Sequence, residues 1–146
     1  KRQGENFEQS QQEAKALGIA EMVLFCGNVN RPEDYLQAMD VFVMTSLFEG
    51  LPIVGVEAQA SGLPCIFADT ITQEVKILPQ TQFLALTQPD EAWAERIVQT
   101  KPMERSLAGH CVESAGFAEE NLDRQVCALY GMEEHHFANI SGRDHL

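Results

Sequence analysis

Apolar residues are grouped along this chain in two ways, as short continuous runs and as stripes at helical spacing. Met22 to Cys26 reads Met-Val-Leu-Phe-Cys and closes at Gly27, and Val41 to Met44, Cys65 to Ala68 and Gln82 to Leu86 are runs of the same kind. Short apolar runs without polar alternation predict strands buried on both faces. Helical stretches separate them. Asn6 to Leu17 has a polar face and stops at Gly18, a natural residue just past a helix end. Pro32 suits the first turn of a helix carrying Tyr35, Leu36 and Met39 on one side. Pro52 to Ala60 predicts a crossover helix with Gly62 placed to end it. After Leu86 the pattern is helical: Pro89 to about Gln99, Met103 to Ala115, and Ala118 to Tyr130, with Gly116 and Gly131 at the stops. Met132 to Leu146 is polar and aperiodic and is expected to fray as a flexible tail.

Buried strands alternating with helices predict an α/β fold, a parallel sheet with helices on both faces and right-handed crossovers. At 146 residues the chain has the length of one ordinary domain, taken here as residues 1–131 followed by the tail 132–146.

Charge narrows the partners. Ten Lys and Arg stand against 22 Asp and Glu, a net charge of −12, which argues against nucleic acid or an anionic membrane surface. Apolar residues at 45% exclude wholesale disorder. The longest apolar stretch, Leu51 to Ala68, carries Glu57 and Gln59 and is broken by Gly and Pro, so it is no membrane span. With no initiator Met and no apolar leader, the chain reads as a cytosolic piece of a longer protein. Cys26, Cys65, Cys111 and Cys127 lack any zinc-type spacing, and Cys26 and Cys65 sit in apolar runs where Cys acts as a small buried hydrophobe. His135 and His136 are adjacent, and His110 and His145 are isolated, so no metal site is expected.

In an open parallel sheet, ligands bind beyond the carboxyl ends of the strands. Three loops leave such ends: Gly27 to Arg31, Thr45 to Leu51, and Asp69 to Glu74. The middle one, Thr-Ser-Leu-Phe-Glu-Gly-Leu, feeds through Pro52 into a helix. With Pro52 at the first helical position, the free amides of the first turn belong to Ile53 and Val54 and attract phosphate. Gly50 lets a ligand approach the backbone. Glu49 lies just before this anion site. Glu57 lies five residues beyond Pro52, roughly 7–8 Å along the axis at 1.5 Å per residue. That is about the span from a diphosphate to the ribose of one nucleotide. Ordinary solvated or paired glutamates are the competing account. Two features weigh against it: the helix around Glu57 is apolar on nearly every side, where an unpartnered carboxylate is costly, and Pro32 to Val75 holds no Lys, Arg or His. The residues alone reach an anionic, hydroxyl-rich ligand and no further. No Gly-x-Gly-x-x-Gly, P-loop or Gly-x-Ser-x-Gly signature is present.

Glu49 to Pro64, Glu-Gly-Leu-Pro-Ile-Val-Gly-Val-Glu-Ala-Gln-Ala-Ser-Gly-Leu-Pro, resembles the Glu-x7-Glu signature of the retaining glycosyltransferases of family 4. The Glu-Ala-Gln-Ala-Ser-Gly-Leu-Pro-Cys version is similar to bacterial capsular and exopolysaccharide transferases. Val23 to Gly27, Ala38 to Val43, Ser46 to Gly50, Ile71 to Val75 and Trp93-Ala94 agree with it. The resemblance implies most of the C-terminal, Rossmann-like, nucleotide-sugar-binding domain of the two-domain GT-B fold. It implies that Glu57 holds the ribose and that Glu49 contacts the donor sugar near the reacting centre. The backbone of Gly50, Leu51, Pro52, Ile53 and Val54 would serve sugar and phosphate, while Gly27, Asn28 and Val29 would border the base. It further implies metal-independent hexosyl transfer without a cofactor, from a nucleotide-sugar donor (a UDP-sugar) and with retained configuration.

The acceptor, a glycan or lipid-linked sugar, would belong to an N-terminal domain outside this chain, as would the family's phosphate-clamping Arg and Lys. On this account the isolated chain binds donor weakly and catalyses nothing. A lipid-linked acceptor would bring the parent to the inner face of the cytoplasmic membrane. Two alternatives stay open: a non-catalytic α/β protein-interaction module, and a sugar phosphorylase or synthase of the same fold.

Overall fold

A computed structural model of the chain describes residues 7–117. These fall in two compact units, Lys1–Pro32 and Glu33–Leu146. The helix expected over Ala118 to Tyr130 and the tail from Met132 lie outside the described residues. No helix among the described residues is long and apolar enough to cross a membrane.

The first unit holds helix α1 (Phe7–Ala16), which buries Ala14. Its end is set by Gly18 at φ 71°: Gly18 N–H donates to Lys15 O at 3.1 Å and Ile19 N–H to Ala14 O at 3.0 Å, satisfying two carbonyls of the last turn. The Phe7 and Phe25 rings meet edge to face, with centroids 5.6 Å apart. Met22 to Cys26 is not the buried strand its pattern predicts. Ala20–Met22 is a 3₁₀ turn, the residues after it carry no ladder, and Met22 and Leu24 are 81% and 83% exposed. Strand preference expresses fit to a neighbouring strand and a covering layer. Among this unit's described residues no strand runs beside the segment, so only Phe25, which has an aromatic partner, is partly buried. Cys26 is accordingly exposed rather than buried.

Helix α2 (Pro32–Ala38) leads into the second unit and buries Leu36. Three strands follow, β1 (Phe42–Met44), β2 (Cys65–Ala68) and β3 (Gln82–Leu84), all parallel and in that order across the sheet. Central β2 is buried along its whole length. Phe67 stands between Phe42 and Phe83, with ring centroids 6.1 and 5.8 Å away. This face of the sheet receives helix α3 (Ile53–Ala60) at Gly55: a Cβ there would lie 2.8 Å from Phe67 Cζ and 3.2 Å from Val75 Cγ2. The opposite face carries Ile66, in register with Gln82, whose side chain accepts from Arg96 of helix α4 (Asp90–Gln99) at 3.1 Å. The Rossmann-like α/β layering with helices on both faces is therefore present.

Strand β1 is the edge of the described sheet, so Val43 is exposed and Phe42 and Met44 are only half-buried, not the buried run expected. Strand β3 ends at Leu84, two residues short of the predicted limit. The helix expected from Met103 to Ala115 is α5 (Arg105–Val112), followed by a π-type turn over Glu113–Phe117 that breaks at Gly116, φ 97°. Helix α3 ends as predicted at Gly62, φ 77°, where Leu63 N–H donates to Ala58 O at 3.1 Å.

Candidate functional site

The loop from Thr45 to Pro52 leaves the carboxyl end of β1 and is held at two points by the loop leaving β2. The Thr70 hydroxyl donates to Ser46 O at 2.7 Å, and Glu49 pairs with Ile71 through a single parallel bridge. Glu49 is thereby half-buried with its backbone tied down, while Leu47 and Phe48 before it are more than four-fifths exposed. Gly50 does not have positive φ, and apart from its chain neighbours no described residue has an atom within 4 Å of where its Cβ would be. Neither backbone conformation nor protein packing accounts for glycine here.

Pro52 is the cap of α3 rather than its first helical residue, with φ −75° and ψ 106°. Its carbonyl accepts from Gly55 N–H at 2.9 Å and Val56 N–H at 3.4 Å. That leaves Ile53 and Val54 as the first-turn amides without a backbone acceptor among the described residues, as expected. Leu51 is 37% exposed, Pro52 is buried, Ile53 is exposed and Val54 is half-buried, so the start of α3 opens on one side only.

Glu57 departs from expectation. The helix is apolar, but Gly55, Val56, Ala58 and Gln59 take the buried face, and Glu57 shares the exposed face with Ile53 one turn earlier. The burial penalty invoked for an unpartnered carboxylate therefore does not apply. Among the described residues no cation pairs with Glu49 or Glu57. The arginine that folds back towards the acidic stretch, Arg105, instead caps α2, donating from Nη2 to Gln37 O at 2.8 Å and from Nη1 to Gln37 Oε1. The structure thus joins Glu49, Gly50, the Ile53 and Val54 amides and Glu57 along one strand–loop–helix passage. Gly27, Asn28 and Val29 belong to the first unit, where Gly27 is left-handed at φ 61°, Asn28 is exposed and Val29 half-buried.

Two further features lie nearby. A cavity of about 470 Å³ lined by Val43, Thr45, Leu86, Gln88, Asp90 and Trp93 opens where β1 and the chain after β3 meet α4, and it includes neither glutamate. The second is Gln59, fully buried on α3 and unassigned by sequence reasoning. Its Nε2 donates to Gly55 O at 3.0 Å and Val75 O at 2.7 Å. Its Oε1 accepts from Ile77 N–H at 3.0 Å, Leu78 N–H at 2.9 Å and the Thr81 hydroxyl at 2.7 Å. The signal was a neutral polar residue in an apolar helix, the same oddity that drew notice to Glu57. No three His, Cys, Asp or Glu side chains among the described residues gather as a metal site would require.

The profile of the family described as glycosyl transferases group 1 matches residues 3–110. EpsF of Bacillus subtilis (strain 168), which bears a glycosyltransferase name, is 47% identical over 90 residues, 61% of this chain and 23% of EpsF. The Vi polysaccharide biosynthesis protein VipC/TviE of Salmonella typhi is 34% identical over 122 residues, 78% of this chain and 20% of that protein. The UDP-Gal:alpha-D-GlcNAc-diphosphoundecaprenol alpha-1,3-galactosyltransferase of Escherichia coli is 42% identical over 53 residues, 36% of this chain and 14% of the enzyme. The matches span about a quarter or less of these relatives. A profile match over most of the chain, on a parallel sheet whose strand–loop–helix passage carries both glutamates, places it in the glycosyl transferases group 1 family.

Proposed function

We propose that this chain is the donor-binding part of a retaining glycosyltransferase of family 4 and GT-B architecture. In this reading it takes a hexose from a nucleotide-sugar, a UDP-sugar, and a longer polypeptide delivers that hexose to a surface polysaccharide or lipid-linked glycan. The observation that carries the reading is Gly50. Its missing side chain serves no turn and relieves no protein contact, yet it lies between Glu49 and the unpaired first-turn amides of α3. A diphosphate set against those amides meets hydrogen-bond donors and the positive end of the helix dipole. Glu57, exposed one turn further on, is then free to accept from ribose hydroxyls. Glu49, held by the Ile71 bridge, faces the donor sugar. The E. coli relative's named donor, UDP-Gal, and the Vi polysaccharide role in the name of VipC/TviE favour this substrate class.

The reaction is a metal-independent front-side displacement. The acceptor hydroxyl oxygen forms a bond to the anomeric carbon as the bond from that carbon to the diphosphate oxygen breaks, and the acceptor proton passes to the departing diphosphate. The amides of Ile53 and Val54 stabilise charge on that leaving group. Gly27, Asn28 and Val29 are assigned to the base, and the acceptor to a part of the polypeptide beyond this chain. Glu57→Ala in the longest polypeptide carrying this sequence is expected to abolish nucleotide-sugar binding in calorimetric titration. Unchanged donor affinity in that variant would overturn the assignment.

A further inference from the structure

The connection from β2 to β3 is a parallel crossover with only a single 3₁₀ turn, Gln73–Val75, in place of a helix. Backbone polar groups along such a segment lack the acceptors and donors a helix would supply and must find others when buried. Gln59 supplies them. Its one amide engages Val75 O, Ile77 N–H, Leu78 N–H and the Thr81 hydroxyl, while its remaining donor is held by Gly55 O of its own helix. Val75, Leu78 and Thr81 are themselves buried, so these groups have no water to turn to. The same crossover begins with Thr70 and Ile71, which hold Ser46 and Glu49.

We infer that Gln59 is a positioning residue for the donor site: by pinning the β2–β3 crossover to α3, it sets where Glu49 stands relative to Glu57. The inference rests on the donor-site reading above. The chain of links is short. Glu57 and Gln59 share α3, Gln59 grips the crossover, and the crossover carries Ile71 against Glu49. Without the Gln59 amide, the crossover is held to α3 by apolar packing alone, with Ile71 and Val75 in one buried cluster with Val56 and Ala58, and no hydrogen bond among the described residues fixes the loop against the helix.

The test uses NMR on the intact chain, with UDP as probe. Gln59→Met keeps the side-chain length and strands four polar groups of the crossover, so it risks unfolding. Thr81→Val deletes one hydroxyl, and Thr81→Ser returns it. In Gln59→Met and Thr81→Val the amide resonances of residues 49–51 and 70–72 are expected to move, and UDP dissociation to rise about fivefold, the size of coupling that packed networks carry. Thr81→Ser is expected to restore both. A purely structural glutamine would lower the melting temperature of Thr81→Val while leaving those resonances and the UDP affinity unchanged, and that result overturns the inference. Glu57→Ala separates this from failure of the donor-site reading. If it leaves UDP binding intact, the reading falls, and movement at residues 49–51 in Thr81→Val still decides whether Gln59 is the tether.

Discussion

Cys65 and Cys26 occupy the same kind of apolar run and have opposite environments. Cys65 is fully buried in β2, its thiol directed at Leu63 O 3.4 Å away, and burial pushes its pKa from 9.0 up to about 12. The raised value fixes the sign of a pH effect. The folded chain holds this proton more tightly than the unfolded one, so the contribution is fully present below pH 9 and is lost as pH rises towards 12. Stability measured by denaturant is expected to fall through that window and to fall less in Cys65→Ala. A neutral-pH thiol reagent is expected to modify exposed Cys26 rapidly and to spare Cys65 until the chain unfolds. Equal rates at the two sites would contradict the packing described for β2. Sequence pattern could not separate these cysteines, because the difference lies in whether a strand has neighbours.

Among the elements, β2 was legible to the residue, because a strand buried on both faces must be apolar throughout. Helix ends at Gly18 and Gly62 were legible too, since a left-handed residue closing the last carbonyls favours glycine. Edge strand β1 and the unpaired Met22 to Cys26 segment were misjudged for one physical reason. Apolar composition reports the wish for a partner and not its presence. Gly55 shows the reverse case, a helix-weakening residue explained only by the packed structure. Replacing it with Ala gains about 1 kcal/mol of helix propensity but forces a methyl to within 2.8 Å of the buried Phe67 ring. Overpacking of that kind costs about 1–3 kcal/mol, and the ring is fully buried beside Phe42 and Phe83. Gly55→Ala is therefore expected to lower the melting temperature, and Phe67→Leu in the same chain to recover part of the loss. An increase in stability from Gly55→Ala alone would contradict the close helix–sheet approach.

At the scale of the molecule, the glycosyltransferase character was legible because Glu49 to Pro64 joins the loop after β1 to the whole of α3 and the Gly62 that ends it in sixteen consecutive positions. The burial argument for Glu57 does not hold, because its helix is apolar yet its own face is open. Gln59 escaped because its partners Val75, Ile77, Leu78 and Thr81 lie beyond the motif, on a crossover whose lack of helix the pattern does not reveal. The exposure of Leu47 and Phe48 beside Glu49 favours a protein-docking module over a donor site at this loop. Sedimentation separates the two: a monomer at high concentration is expected here, and self-association relieved by Leu47→Ser and Phe48→Ser would favour docking.

The most direct test is an NMR titration of this chain with UDP, GDP and ADP and then their sugar derivatives. The account predicts shifts clustered at Glu49 to Glu57, with the Ile53 and Val54 amides moving most and a UDP-sugar binding more tightly than UDP alone. Shifts scattered elsewhere, with Ile53, Val54 and Glu57 unmoved at saturating ligand, would contradict it.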